Sequence, residues 1–203
     1  MLAIVDYGAG NLRSVVNAFR AVGCEPTVTS LARDVLSAHA VVLPGVGAAG
    51  ATVDSLNGNG LGEAISRVIA DGRPFFGICI GLQVLLGSTE EGGEHKCLGI
   101  IPGKVKRLPA GLKVPHMGWN QVKQTRAHDI FEGVPDEANF YFVHSYHAVP
   151  DDASLVAGET KYGLPFCSMI ARDNVIATQF HPEKSGEAGL RMYANFLKIA
   201  KGA

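Results

Sequence analysis

Charge of either sign is scarce in this chain. Eighteen Lys and Arg stand against 19 Asp and Glu, which leaves a formal net charge of -1 over 203 residues. No basic stripe offers an electrostatic footprint for nucleic acid, and no acidic run suggests a solvated tail. A small-molecule substrate or a protein partner is therefore expected. Long apolar runs are also missing, so nothing reaches the roughly 20 residues that cross a bilayer. The opening MLAIVDYGAGN lacks the basic start and extended apolar stretch of a signal peptide. Cysteine is sparse: Cys24, Cys79, Cys97 and Cys167 form no CxxC pair and join no histidine at zinc spacing. Their wide separation argues against a disulfide framework. A reduced, cytoplasmic protein is expected. There is no repeat, linker or low-complexity segment, and one domain over residues 1–203 is the simplest account.

What is present is a β-then-α alternation. Leu2 to Val5, Ala40 to Leu43 and Phe75 to Ile78 are short apolar runs of buried-strand type. Leu12, Val15, Val16, Phe19 and Val22 recur at helical spacing before Gly23, and a second helical pattern covers Leu61 to Ala70. Helical character resumes at Leu82 to Leu86. The second half is richer in extended segments: Lys104 to Leu108, Phe140 to Val143, Leu155 to Ala157, Phe166 to Ile170 and Val175 to Phe180. Glu187 to Lys201 reads as a closing amphipathic helix. The expected fold class is α/β: three layers, a mostly parallel central sheet with helices on both faces, and an antiparallel β extension.

The segment that carries chemistry is Pro74-Phe75-Phe76-Gly77-Ile78-Cys79-Ile80-Gly81-Leu82-Gln83. A strand, G-x-C-x-G and a helix repeat the shape of a nucleophile elbow, with cysteine in place of serine. Such a turn lifts the central side chain over the sheet edge. Its glycines remove side chains that would collide with neighbouring backbone or substrate. A helix N-terminus beneath the sulfur would favour the thiolate, and the Ile80 N–H would face a developing oxyanion. The other three cysteines read as small buried hydrophobes.

A cysteine nucleophile needs a base and a group that holds the base. Among seven histidines, His181 stands at the end of the Val175–Phe180 strand, in Phe180-His181-Pro182-Glu183. In an extended segment His181 and Glu183 would point the same way. A second oxyanion donor is expected near Val46, in Leu43-Pro44-Gly45-Val46-Gly47-Ala48. Gly45, Gly47 and Gly50 also match GxGxxG. Pro44 breaks the usual strand-to-glycine turn, and Asp71 ends a helix rather than a strand, so a dinucleotide site is disfavoured.

Taken together, Gly77 to Gln83 and Phe180 to Glu183 resemble the triad-type (class I) glutamine amidotransferases. Asp6 to Asn11, Leu43 to Gly47, Pro115-His116-Met117-Gly118-Trp119-Asn120 and Tyr141 to Tyr146 narrow the likeness to the glutaminase subunits of imidazole glycerol phosphate synthases, over essentially the whole chain. That resemblance implies attack of Cys79 on the side-chain amide of glutamine, release of ammonia and hydrolysis of a thioester to glutamate. It implies a heterodimer with a (β/α)₈ cyclase subunit that uses the ammonia to make imidazole glycerol phosphate, and no cofactor or metal. Gln83 and the backbone around Gly47, His144, Ser145 and Tyr146 would hold glutamine. Asn11, Met117, Trp119 and Lys184 would face the cyclase. Ile80 and Leu82 depart from the family's more usual leucine and methionine while keeping volume and polarity. The alternatives are a glutaminase subunit for anthranilate, aminodeoxychorismate or pyridoxal phosphate synthesis, a stand-alone γ-glutamyl hydrolase or cysteine peptidase, and a non-catalytic regulatory subunit. The PHMGWN segment argues against the first, and an intact triad against the last.

Overall fold

The computed structural model describes residues 1–202. The first half builds a parallel sheet from β1 (Leu2–Val5), β2 (Thr27–Thr29), β3 (Ala40–Leu43) and β4 (Phe75–Ile78). Four helices alternate with these strands: α1 (Leu12–Ala21), α2 (Ala32–Ser37), α3 (Ala49–Gly58) and α4 (Leu61–Ala70). A single turn, α5 (Ile80–Gln83), follows β4. Next come β5 (Ser88–Thr89), β6 (His95–Lys96), β7 (Gly103–Arg107), β8 (His116–Gln124), β9 (Ala138–His144) and β10 (Tyr146–Pro150). The chain closes with β11 (Val156–Tyr162), β12 (Leu164–Arg172), β13 (Val175–Thr178) and α6 (Gly186–Gly202).

The sheet order is β2-β1-β3-β4-β13-β12-β10-β7-β5-β6, with β11 joining β12 to β8, and β8 to β9. The segment β2-β1-β3-β4-β13 is parallel throughout. Beyond it, β12 pairs antiparallel with β13. The last strand of the chain thus slots beside β4, in register Thr178 opposite Ile78. That one pairing brings the end of the cysteine strand next to the end of the histidine strand.

Period-2 alternation explains the three layers. Ala3, Val5, Val41, Leu43 and Phe75 pack on one face against α2, α3 and α4. Leu2, Ile4, Val42, Phe76 and Ile78 pack on the other against α1 and α6. The second face is sealed by aromatic rings: Phe19 meets Tyr193 edge-on at 4.7 Å, and Phe76 lies 5.1 Å from Phe196. Each fully buried ring of this kind contributes about 1.5–3 kcal/mol of burial free energy. Asn11 starts α1, its side chain accepting the Ser14 N–H at 3.4 Å.

Several boundaries differ from the sequence reading. Helix character expected at Leu82 to Leu86 is instead the turn Ile80–Gln83, because the helix begins directly after Cys79. The strand expected to reach Phe180 ends at Thr178. Pairing with β12 carries β11 on from Val156 to Tyr162, past the apolar run at its start. The glycine-rich stretch after Val46 holds α3, with Gly50 inside the helix. No helix among the described residues is long and apolar enough to cross a membrane.

Candidate active site

Between β4 and α5, Cys79 alone makes the turn. Its backbone sits at φ 56°, ψ -101°, a left-handed conformation that costs a residue with a Cβ about 1–3 kcal/mol. Hydrogen bonds on both sides hold it there. The Cys79 N–H donates to the Thr178 carbonyl at 2.7 Å, and the N–H groups of Leu82 and Gln83 donate to the Cys79 carbonyl at 3.0 and 3.3 Å. The bracketing glycines are required by backbone contact. A Cβ on Gly77 would stand 2.6 Å from the Gly81 carbonyl oxygen, and one on Gly81 would stand 2.0 Å from the Leu43 carbonyl oxygen. With only one turn, α5 provides a small dipole, so the sulfur depends on individual groups more than the sequence suggests. The Ile80 N–H, first in that turn, has no intrahelical acceptor.

His181 and Glu183 meet as expected but by a different route. The segment leaves the sheet, and Pro182–Lys184 forms a 3₁₀ turn with His181 as its cap. This turn, not an extended strand, brings His181 Nδ1 to 2.7 Å from Glu183 Oε1. Both side chains are 3% exposed. The His181 backbone is fixed by its N–H donating to the Tyr141 carbonyl at 2.9 Å, and its carbonyl accepts the Ser185 hydroxyl at 2.6 Å. Burial alone would depress the His181 pKa. Hydrogen bonds and negative charge from Cys79 and Glu183 overcome that, and it is raised to about 10. The remaining nitrogen, Nε2, makes no directed hydrogen bond and faces the sulfur.

A cavity of about 420 Å³ opens over Cys79. Val46, Gly47, Ile80, Gln83, His144, Ser145 and Tyr146 all line it, so the structure brings every expected oxyanion and glutamine contact to one place. The Val46 N–H, like the Thr52 side chain, faces the buried Tyr7 phenol oxygen rather than the cavity, and the phenol makes no full hydrogen bond. The expected partner residues are on the surface nearby. Met117 and Trp119 are 62% and 59% exposed. Trp119 meets Tyr141 edge-on at 6.2 Å, and Lys184 Nζ lies 5.6 Å over the same ring. Asn11, also exposed, stands at the start of α1, which packs against the Pro182–Lys184 turn.

Four residues escaped the sequence reading. Glu91 lines the cavity with a carboxylate that accepts the Ala49 N–H at 3.1 Å, suited to an ammonium group. Tyr7 fills the space behind Val46. Tyr193 turns its phenol toward Glu183, outside hydrogen-bond geometry. Gln179, fully buried, places Nε2 3.6 Å from Cys79 Sγ. Only Gln179 had a sequence signal, two residues before His181 on the same segment.

The glutamine amidotransferase class-I family model matches residues 3–200. The imidazole glycerol phosphate synthase subunit HisH of Dehalococcoides mccartyi (strain CBDB1) is 56% identical over 202 residues, covering 100% of this chain and 98% of that protein. The subunit of the same name from Chloroflexus aurantiacus is 52% identical, covering 98% and 95%. Among solved structures, PurLQS from Thermotoga maritima shares the fold with a TM-score of 0.78 at 17% identity, covering 98% of this chain and 97% of that one. The glutaminase domain of Trypanosoma brucei CTPS with bound acivicin superposes with a TM-score of 0.69 at 14% identity, covering 99% and 93%. With the family model matched over residues 3–200 and an elbow cysteine backed by a buried histidine–glutamate pair, this chain belongs to the class I glutamine amidotransferase family.

Proposed function

We propose that this chain, one domain over residues 1–203, is the glutaminase subunit of an imidazole glycerol phosphate synthase, with Cys79, His181 and Glu183 as its catalytic triad. The observation that carries the reading is that Cys79, directly after β4 and open to the cavity, is faced from behind by His181, which the β13–α6 connection pairs with Glu183 at 2.7 Å. Glutamine enters with its side-chain amide over the sulfur. Cys79 Sγ bonds the amide carbon, His181 gives its proton to the departing nitrogen, and ammonia leaves. Water then attacks the thioester, passing its proton to His181. The carbon–sulfur bond breaks and glutamate is released. Glu183 holds the imidazole by its Nδ1–H and stabilises its positive charge. The N–H of Ile80 receives the oxyanion, and that of Val46 joins it on turning away from the Tyr7 phenol oxygen. Gly47, Gln83, His144, Ser145 and Tyr146 shape the pocket for the amino-acid end of the substrate. No cofactor or metal enters these steps.

The relatives at 50–56% identity bear the name of a synthase subunit, which supports a partner subunit; the reading takes that partner as a (β/α)₈ cyclase in a cytoplasmic heterodimer. Asn11, Met117, Trp119 and Lys184 are the proposed contact surface. Trp119 and Met117 supply the exposed aromatic and flexible apolar groups that anchor interfaces, and among the described residues no neighbour covers them.

A glutamine-mimicking electrophile such as acivicin tests the assignment of the nucleophile. Peptide mass spectrometry is expected to find Cys79 labelled and protected by glutamine. Cys24, Cys97 and Cys167 should stay unmodified. Burial raises the pKa of all three thiols, Cys97 to about 11 and Cys167 to about 12. Labelling at one of those three without labelling at Cys79 would remove the nucleophile from this account.

A further inference from the structure

The Cys79 sulfur is faced by two nitrogens, and only one belongs to the triad. The other is Gln179 Nε2 at 3.6 Å. Which end of a Gln amide points at a sulfur is normally ambiguous; here the surrounding hydrogen bonds decide it. The Tyr146 carbonyl can only accept, and it lies 3.0 Å from Gln83 Nε2. Gln83 therefore presents its nitrogen on that side. Its second N–H reaches the Gln179 side chain at 3.0 Å and requires an acceptor there, which is Oε1. With Oε1 committed to Gln83, the Gln179 nitrogen must face Cys79.

The same carbonyl anchors a longer chain. His144 Nδ1 lies 2.9 Å from the Tyr146 oxygen, His116 Nδ1 lies 2.9 Å from His144 Nε2, and Asn120 Nδ2 lies 3.2 Å from His116 Nε2. Burial holds both imidazoles neutral, with pKa values of about 3 for His144 and about 4 for His116. Each neutral ring then has one donor and one acceptor, and one arrangement satisfies every link. Asn120 donates to His116, His116 to His144, and His144 to the Tyr146 carbonyl. That relay from β8 ends on the same Tyr146 carbonyl that accepts from Gln83, so the acceptor that orients Gln83 and, through it, Gln179 is itself held in place.

We propose that Gln179 is a catalytic residue: its side-chain N–H is a second, uncharged donor to the Cys79 sulfur, and Gln83 acts through it as a positioning residue. This rests on the glutaminase reading. In the first half-reaction His181 gives up its proton to ammonia. In the second, the carbon–sulfur bond breaks and the electron pair returns to sulfur. Gln179 cannot give up its proton, so it continues to stabilise the sulfur charge whatever state His181 is in. The one-turn α5 leaves that task unfilled. The charged and titratable groups facing the sulfur are His181, with Glu183 behind it, and the Tyr7 phenol; none of them is an uncharged donor locked in place.

The test uses two variants of the full chain and iodoacetamide as the probe. Gln179→Glu keeps the shape and the bond from Gln83 but turns an oxygen to the sulfur. Gln179→Met removes the donor without adding charge. In both, alkylation of Cys79 near neutral pH is expected to slow on the order of tenfold, the usual weight of a hydrogen bond to a charged group. The curve of alkylation rate against pH should move to higher pH. In the pair with the cyclase, kcat for glutamine should fall by a similar factor with KM nearly constant. Alkylation rates and pH curves matching the unmodified chain in both variants, with KM raised instead, would overturn the proposal and leave Gln179 as pocket packing. Unmodified chain alkylated at Cys79 that still hydrolyses glutamine would overturn the glutaminase reading itself, and this role with it.

Discussion

Replacing His181 with Ala is expected to lower kcat/KM for glutamine by a factor on the order of a thousand, and replacing Glu183 with Gln by a factor on the order of a hundred. In the proposed mechanism, loss of His181 removes both the proton donor to the departing nitrogen and the base for water. Glu183→Gln keeps the shape of the pair, since the amide oxygen can still accept the Nδ1–H at the 2.7 Å position. It removes the charge that holds the imidazolium against burial. Both groups are almost fully enclosed, so water does not substitute for the missing charge. The same pairing affects stability. The folded His181 pKa is raised, so the stabilisation is complete below about pH 6.5 and is lost as the pH rises through about 10. Steady-state kinetics on the cyclase pair checks the rates, and equal losses in the two variants would contradict the supporting role of Glu183.

Gly81→Ala is the second large effect, and it acts on the fold first. The added Cβ would sit 2.0 Å from the Leu43 carbonyl oxygen, which is backbone and cannot rotate away. Relief requires β3 and the elbow to separate, although β3 is hydrogen-bonded to β4 at Leu43 opposite Gly77. A Cβ there also meets the Leu43 side chain at 3.5 Å, an ordinary contact, so the clash lies with the carbonyl. The expected cost is about 3 kcal/mol or more, a fall in Tm of roughly 6–12 °C for a chain of this size. Glutamine turnover should fall further than stability explains, because the displaced residue follows the nucleophile. Thermal unfolding within about a degree of the unmodified chain would contradict the close approach of these two backbones.

The parts of this molecule that could be read in the sequence are those whose signal is local. Runs such as Ala40–Leu43 and Phe75–Ile78 are buried on both faces, so they appear as unbroken apolar segments. The elbow was legible because its constraint falls on the two glycines that bracket Cys79, and His181 with Glu183 because they lie two residues apart. β8 was not, because its residues alternate between buried and exposed with polar side chains such as Asn120, Gln121 and Lys123, leaving no apolar run. α3 was hidden by Gly50 and Gly58. The route by which His181 meets Glu183 was misjudged, since two residues apart suits an extended strand and a 3₁₀ turn alike. Gln179 acquires its part only from partners 96 and 100 residues away. Glu91 and Tyr193 likewise face groups distant in sequence. The slotting of β13 beside β4 places Gln179 and the packing of α6 places Tyr193, and neither leaves a mark on the neighbouring residues.

In the proposed reaction Cys79 carries the glutamine half, and the other half belongs to a partner. Cys79→Ala, reconstituted with the cyclase and assayed once with glutamine and once with free ammonia, tests this division most directly. The glutamine-fed reaction is expected to disappear while the ammonia-fed reaction continues at its unmodified rate. Turnover with glutamine in that variant would contradict the division.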